Sequence, residues 1–307
     1  MNFFKTKISF LILFSLLLPI VISFIMPDRK NNESNLTVKV FDCESNNLLT
    51  MSENDYIIGV VSAEMPADFE AEALKAQALA ARTYLRGKGK CDNHPEADIC
   101  TNSAHCQAYK SREQLKQQWG SEFNSKYNKI KNAVESTSEK IITYDGKPIS
   151  AVFHSTSSGQ TENSEDVWEK SLPYLKSVSS TFDKDSPKYD SQKQYDWNEF
   201  QKIILSADSG VDFDKGIGDI KTSKGGAIKE IEIGGVKFKG TKIRELFSLN
   251  SANFTIDIVD GSVIFTVHGY GHGVGMSQYG ANFMAKDGKK YDEIIKHYYT
   301  GVKITNE

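Results

Sequence analysis

Residues 8–26, ISFLILFSLLLPIVISFIM, run for nineteen positions without a charged side chain. A helix of about 20 apolar residues crosses a bilayer, so this run reads as a span over 8–27. Lys5 and Lys7 precede it, and Asp28, Arg29, Lys30 and Glu33 follow. Lys and Arg are balanced across the run, and the amino terminus tips the orientation toward an N-terminus inside the cell. The run ends in Phe24, Ile25, Met26 and Pro27 rather than in an A-x-A cleavage pattern, which favours an uncleaved signal-anchor over a removed signal peptide. Residues 1–7 then lie in the cytoplasm, 28–36 form a linker, and the rest of the chain lies outside. The 307 residues carry a net charge of −3, with 39% hydrophobic and 25% charged side chains. That balance excludes a collagen, a coiled coil and a disordered chain. It offers no positive field for nucleic acid.

Helical and strand signals come in separate blocks, so the fold class expected is α+β. Thr37–Phe41 alternates like a strand, and Leu48–Met51 can pair back across Asn46-Asn47. A helix starts at Ser52 and ends near Glu64, because Pro66 disfavours helix at Met65. A second, alanine-rich helix over Glu70–Leu85 has the small residues of a buried central element. Further helices are expected over Arg112–Trp119, Phe123–Val134, Trp197–Leu205, Met276–Ala285 and Tyr291–Tyr299. Asp145-Gly146, Gly234-Gly235 and Asp260-Gly261 each mark a hairpin, the first joining Ile141–Tyr144 to Ile149–Phe153. The polar stretch Asp183–Gln194 reads as an exposed loop. The main domain is expected over 37–171 and 251–307, with a smaller subdomain inserted at 172–250.

Chemistry concentrates in three places. Glu64 closes an apolar helix, where burial and the negative end of the helix dipole both favour a protonated carboxyl; a solvated helix end is the plain alternative. Arg82 on the next helix is then a counter-charge or substrate clamp, or an ordinary surface arginine. Three of four cysteines and two of six histidines fall between Cys91 and Cys106. Disulfides are the ordinary expectation outside the cytoplasm, but interleaved imidazoles and thiols suit tetrahedral zinc. His94, Cys100, His105 and Cys106 make an N2S2 set with Cys91 in reserve, which implies a structural zinc without an open position. Finally, FHSTSSGQT (Phe153–Thr161) and HGYGHGVGMSQYGA (His268–Ala281) are rich in glycine and hydroxyls. The second is no nucleotide loop, because its glycines miss G-x-G-x-x-G and no strand–helix–strand unit follows. A Ser155–His272–Asp triad lacks the G-x-S-x-G elbow. His154 and His272 are either cleft residues that bind sugar hydroxyls or satisfied structural histidines.

YIIGVVSAEMP with FEAEALKAQALAARTYL, then FHSTSSGQTENSEDVW, then GHGVGMSQYGA together resemble the stage II sporulation protein D (SpoIID) family. The resemblance implies a lytic transglycosylase that cleaves peptidoglycan glycan strands, denuded of stem peptides, during forespore engulfment. It implies Glu64 as the catalytic acid and Arg82, His154, Ser155, His272 and Gln278 as substrate-binding residues. It implies zinc on the cysteine–histidine loop, and as partners the amidase SpoIIP and the membrane protein SpoIIM. The location implied is the cell membrane, with the C-terminal domain outside, on the mother-cell side of the septum. One carboxyl suffices for such a reaction, because the nucleophile belongs to the substrate; a hydrolase needs two. A hydrolase of the same strands and a non-catalytic glycan-binding scaffold are the alternatives.

Overall fold

The computed structural model describes residues 36–168 and 170–306, so the span expected at 8–27 lies outside the described residues. Within them no helix is long and apolar enough to cross a membrane. Strands β1 (Thr37–Asp42) and β2 (Asn47–Ser52) pair antiparallel. The Oγ of Ser52 accepts the Asp55 N–H at 3.1 Å and starts α1 (Glu53–Glu64). That bond satisfies one of the N–H groups a helix start leaves open. α1 buries Tyr56, Ile57, Val60 and Val61 and stops where Met65 turns extended ahead of Pro66.

α2 (Ala71–Lys88) is the central element of the first core. Ala73, Ala76, Ala78, Ala80 and Ala81 are fully buried in it. Side chains this small let neighbouring helices approach closely while the helix keeps its propensity. Two-residue β3 (Ile99–Cys100) runs parallel to β1. α3 (Arg112–Trp119) is set by a capping box between Ser111 and Gln114, and α4 (Phe123–Glu135) packs on α1 and α2.

The first hairpin is shorter than its sequence suggests. Across Asp145-Gly146, β4 (Lys140–Tyr144) meets only the two-residue β5 (Lys147–Pro148). One more backbone bond, from Ile149 N–H to the Ile142 carbonyl at 3.1 Å, follows Pro148 before the chain leaves the ladder. Phe153–His154 forms a separate strand, β6, with a different partner. After a single turn, α5 (Ser164–Val167), comes the stretch expected as an exposed loop. It instead supplies a 3₁₀ turn over Thr181–Asp185, with Asp183 fully buried, and most of β7 (Asp190–Asp196).

A second core follows. α6 (Trp197–Ala207), β8 (Ile217–Thr222), β9 (Ile228–Ile233), β10 (Val236–Lys239) and α7 (Gly240–Leu246) come first. β11 (Phe254–Val259) and β12 (Ser262–His268) complete it, and β12 pairs with both β11 and β7. Phe200, Ile204, Ile231, Phe247, Val263 and Phe265 are buried together there. Its limits thus differ from the expected 172–250. Leu175 belongs to the first core, while Phe254, Phe265 and Val267 belong to the second, so the insertion runs from Asp190 to His268. The reason is strand pairing: β7 cannot be separated from β12, which supplies its hydrogen bonds.

β13 (Met276–Ser277), α8 (Gln278–Lys286), α9 (Tyr291–Tyr298) and β14 (Lys303–Asn306) return to the first core. β13 runs parallel to β6, and β14 pairs with β4.

Arg82 is 0% exposed and takes no part in a cleft. Its Nε donates to Glu53 Oε1 at 2.8 Å, Nη1 to Thr137 O at 2.8 Å and Nη2 to Asn54 Oδ1 at 3.1 Å. Glu53 also meets Arg86 Nη2 at 2.5 Å. The guanidinium points to the start of α1 and the end of α4, so the expectation that it binds substrate gives way to a core ion pair. Removing one partner of a buried pair leaves a poorly compensated charge. Arg82→Ala is expected to lower unfolding free energy by about 3–5 kcal/mol in a denaturant titration. An unchanged midpoint would refute the structural role.

Candidate functional site

A cleft of about 380 Å³ gathers residues that are far apart in sequence. Glu64, His154, Ser155, His272 and Gln278 all line it, together with Tyr84, Gln107, Phe153 and Tyr270. The β6–β13 pairing brings them together. It places Phe153 opposite Met276 and His154 opposite Ser277, next to Gln278 at the start of α8. Gly275 makes the crossing possible. At φ +74° it is left-handed, and a Cβ there would stand 2.1 Å from the Val152 carbonyl oxygen.

Glu64 comes from the last turn of α1. Its Oε1 accepts the Ala108 N–H at 2.9 Å and its Oε2 accepts Gln278 Nε2 at 3.3 Å. Burial raises its pKa above the ordinary carboxylate value, and the two hydrogen bonds only partly oppose that. No other Asp or Glu lines the cleft among the described residues.

The two histidines are neutral. His154 Nδ1 donates to the Val274 carbonyl at 3.1 Å, which leaves Nε2 as an acceptor, buried and without a partner. His272 Nδ1 accepts the Val274 N–H at 3.1 Å. The rings lie 5.7 Å apart, and Trp168 packs on His272 at 5.0 Å. Burial, then the neighbouring His272, pull the pKa of His154 down to about 3. Burial, then the charge of Arg244, pull that of His272 down to about 4.

Below them Asp183 anchors α8. It accepts Ser180 Oγ–H at 2.5 Å and Ser277 Oγ–H at 2.6 Å, and Ser277 is the N-cap of the helix that begins with Gln278. Burial lifts the Asp183 pKa to about 6.

The cysteine loop forms one edge of the same cleft through Cys106 and His105. Cys91, Cys100 and Cys106 bring their sulfurs within 4.8 Å of one another, with Cys91–Cys106 at 3.8 Å and Cys100–Cys106 at 3.3 Å. Thiolates about 2.3 Å from a tetrahedral ion stand roughly 3.8 Å apart, so the three thiols can hold a metal. His94 and His105 fall outside that cluster. The expected set therefore changes, with Cys91 a full member rather than a reserve. The tight turn Cys91–His94 sends His94 to stack on Phe41 at 3.6 Å, and His105 turns to Asn93 while its neighbour Cys106 faces inward. Burial raises the thiol pKa values of Cys100 and Cys106.

Comparison with known proteins gives the family of the chain. A family model described as SpoIID, stage II sporulation protein, matches residues 44–144. Stage II sporulation protein D of Bacillus subtilis (strain 168) is 44% identical over 276 residues, which cover 89% of this chain and 80% of that protein. The chain belongs to the stage II sporulation protein D family. The amidase enhancer of Bacillus subtilis (strain 168) is a further relative, 30% identical over 302 residues, which cover 81% of this chain and 40% of that protein. An uncharacterised protein of Brachyspira hyodysenteriae (strain ATCC 49526 / WA1) is 34% identical over 256 residues.

In this SpoIID chain, sequence reasoning missed Tyr84, Gln107, Trp168 and Tyr270 as cleft neighbours. Trp168 and Tyr270 sit inside the motif stretches, 39% and 41% exposed beside buried histidines. An aromatic residue flanking a glycine-rich turn was the available signal. Tyr84 and Gln107 gave none.

The titrations have a stability consequence. Free imidazole titrates near pH 6.5. The folded histidines stay neutral to about 3 and 4, so between pH 6.5 and 4 the unfolded chain binds protons that the fold does not. Stability is therefore lost as pH falls through that window. Asp183, raised to about 6, acts in the opposite sense, since below pH 6 the fold binds a proton the unfolded chain lacks. In melts between pH 7 and 5, His272→Gln should lose less stability on acidification than the parent, and Asp183→Asn more. Identical slopes for all three would sink the assignment.

Proposed function

We propose that this SpoIID-family chain is a lytic transglycosylase of denuded peptidoglycan glycan strands, active during forespore engulfment. The carrying observation is the single carboxylate of the cleft, Glu64, buried and held toward its protonated form. A glycosidase that uses water needs two carboxyl groups, roughly 5 Å apart for retention or 6.5–9.5 Å for inversion. A lone acid suffices where the substrate supplies its own nucleophile. Protonated Glu64 gives its proton to the oxygen between N-acetylmuramic acid and N-acetylglucosamine, and that C–O bond breaks with oxocarbenium character at muramic C1. The Glu64 carboxylate then takes the proton of the muramic C6 hydroxyl, whose oxygen bonds to C1 and closes a 1,6-anhydro ring. The acid is regenerated and no water is consumed. The Ala108 N–H and Gln278 amide hold the carboxyl in place and stabilise its ionised form between the two steps. The free Nε2 of His154 accepts a sugar hydroxyl or amide proton. Ser155 and the His272 ring line the same wall.

Zinc fits the three thiols best, because soft sulfur ligands in a tetrahedral spacing suit it. Cys91, Cys100 and Cys106 would hold the ion, with one further ligand to complete the set. Bound there it would be structural and would pin the edge of the cleft that carries Cys106 and His105. The charge-free run at 8–27 anchors the chain in the cell membrane, with the cleft on the outer, mother-cell side. The relative named amidase enhancer supports an amidase as working partner, SpoIIP, with SpoIIM as the membrane partner.

Two experiments test this. Glu64→Gln should cut release of soluble fragments from denuded strands by about 10³-fold or more, since general acid catalysis alone supplies 10²–10⁴. Mass spectrometry of the wild-type digest should show anhydro-muramic ends. Reducing muramic ends in their place would make the enzyme a hydrolase, and undiminished digestion by the variant would remove Glu64 from the chemistry. For the metal, elemental analysis of the reduced protein should find one zinc per chain, and Cys91→Ser should lose it and melt at a lower temperature. A metal-free protein with a Cys100–Cys106 disulfide overturns the site.

A further inference from the structure

Two cations that nothing in the proposed chemistry uses stand next to residues that line the cleft. Tyr270 lines the cleft and is 41% exposed. Lys188 places its Nζ 4.9 Å from the centre of the Tyr270 ring. Arg244 approaches from α7 of the second core. Its Nε donates to the Leu249 carbonyl at 3.3 Å, and the next residue, Asn250, accepts the Gly271 N–H at 2.9 Å, one position from His272. Its charge adds to burial in disfavouring protonation of His154 and His272, and burial lowers its own pKa. Among the described residues, neither Lys188 nor Arg244 has a carboxylate within 4.0 Å.

A half-buried guanidinium without a counter-ion is costly unless an anion arrives. The other groups of the cleft are neutral or hydrophobic apart from Glu64, so the missing anion must come with the ligand. On the glycan reading, a chain of N-acetylated amino sugars is uncharged except for the lactyl carboxylate on each muramic acid. An amide bond to a stem peptide removes that charge.

We propose that Lys188 over the Tyr270 ring and Arg244 behind Asn250, beside the Tyr270–Gly271 edge of the cleft, bind the lactyl carboxylate of a muramic acid residue and so select glycan whose carboxylates are free. The inference rests on the glycan reading above and adds the residues that set its selectivity. Arg244 offers a planar fork that matches a carboxylate, Lys188 a point charge, and the Tyr270 ring a face for the sugar.

Calorimetry on the full-length Glu64→Gln protein in detergent measures binding without turnover. Two probes are used: peptide-free glycan strands, and the same strands with their carboxylates converted to methylamides. The free form should bind about tenfold more tightly, the gain expected for a hydrogen bond to a charged group. Adding Arg244→Gln should cancel that gain without changing affinity for the amide. Adding Lys188→Gln, an exposed change that spares the core, should cost about threefold on the free form alone. Raising salt should weaken the free form only. Equal affinity for both strands overturns the carboxylate reader and leaves the glycan reading standing. Binding of neither strand overturns both. If Arg244→Gln does not fold, Lys188→Gln and the salt series decide.

Discussion

The cleft depends on a parallel pairing only two residues long. Phe153–His154 lies beside Met276–Ser277, and more than a hundred residues of chain separate them. Parallel strands need a crossover, and here the crossover contains the entire second core. So short a pairing cannot hold itself. It is held from below by Ser277, which caps α8 and donates to buried Asp183, and from the side by Tyr299, whose hydroxyl donates to the Val152 carbonyl at 2.9 Å. The glycines at 271 and 275 let the backbones meet. At Gly271, φ +115°, a Cβ would stand 2.8 Å from that of His154. The rings of His154 and His272 can share one wall only because the intervening backbone carries no side chain there.

Local signals marked elements well and partners poorly. The Ser52 cap, the stop at Pro66, the alanine face of α2 and the β11–β12 hairpin all sit where short-range chemistry places them. What failed was long-range. Nothing near Asp190 tells that a polar segment will pair with β12, because its alternation only reads as a strand once one face has something to cover. The insertion boundary moved for the same reason. Arg82 looked like a ligand-binding residue because an arginine beside a candidate acid invites that reading. Helix phase decides otherwise, since the guanidinium bonds Glu53 and Asn54 at the start of α1 and the Thr137 carbonyl after α4.

The candidate site was legible where a residue's type already limits its use. Glu64, His154, Ser155, His272 and Gln278 were picked from five positions in three segments, and the fold brings all five to one cleft. The metal loop was legible in composition and misassigned in detail. Five candidate ligands in sixteen residues announce a cluster, but which ones converge depends on the turn at Cys91–His94 and the direction of two neighbours, His105 and Cys106. Adjacent side chains in a tight loop rarely face the same point, so Cys106 enters the cluster and His105 the cleft.

The electrostatics of the cleft follow from its dryness. Burial acts on each titratable group by disfavouring its charged form, which holds Glu64 toward the acid and both histidines toward the neutral base. The same burial that prepares an acid therefore silences two bases beside it. A charged imidazolium nearby would instead favour the Glu64 carboxylate over the acid. Arg244 reinforces this from a distance, since its positive charge further disfavours protonation of His154 and His272. That charge is a smaller contribution than burial, which comes first at both imidazoles.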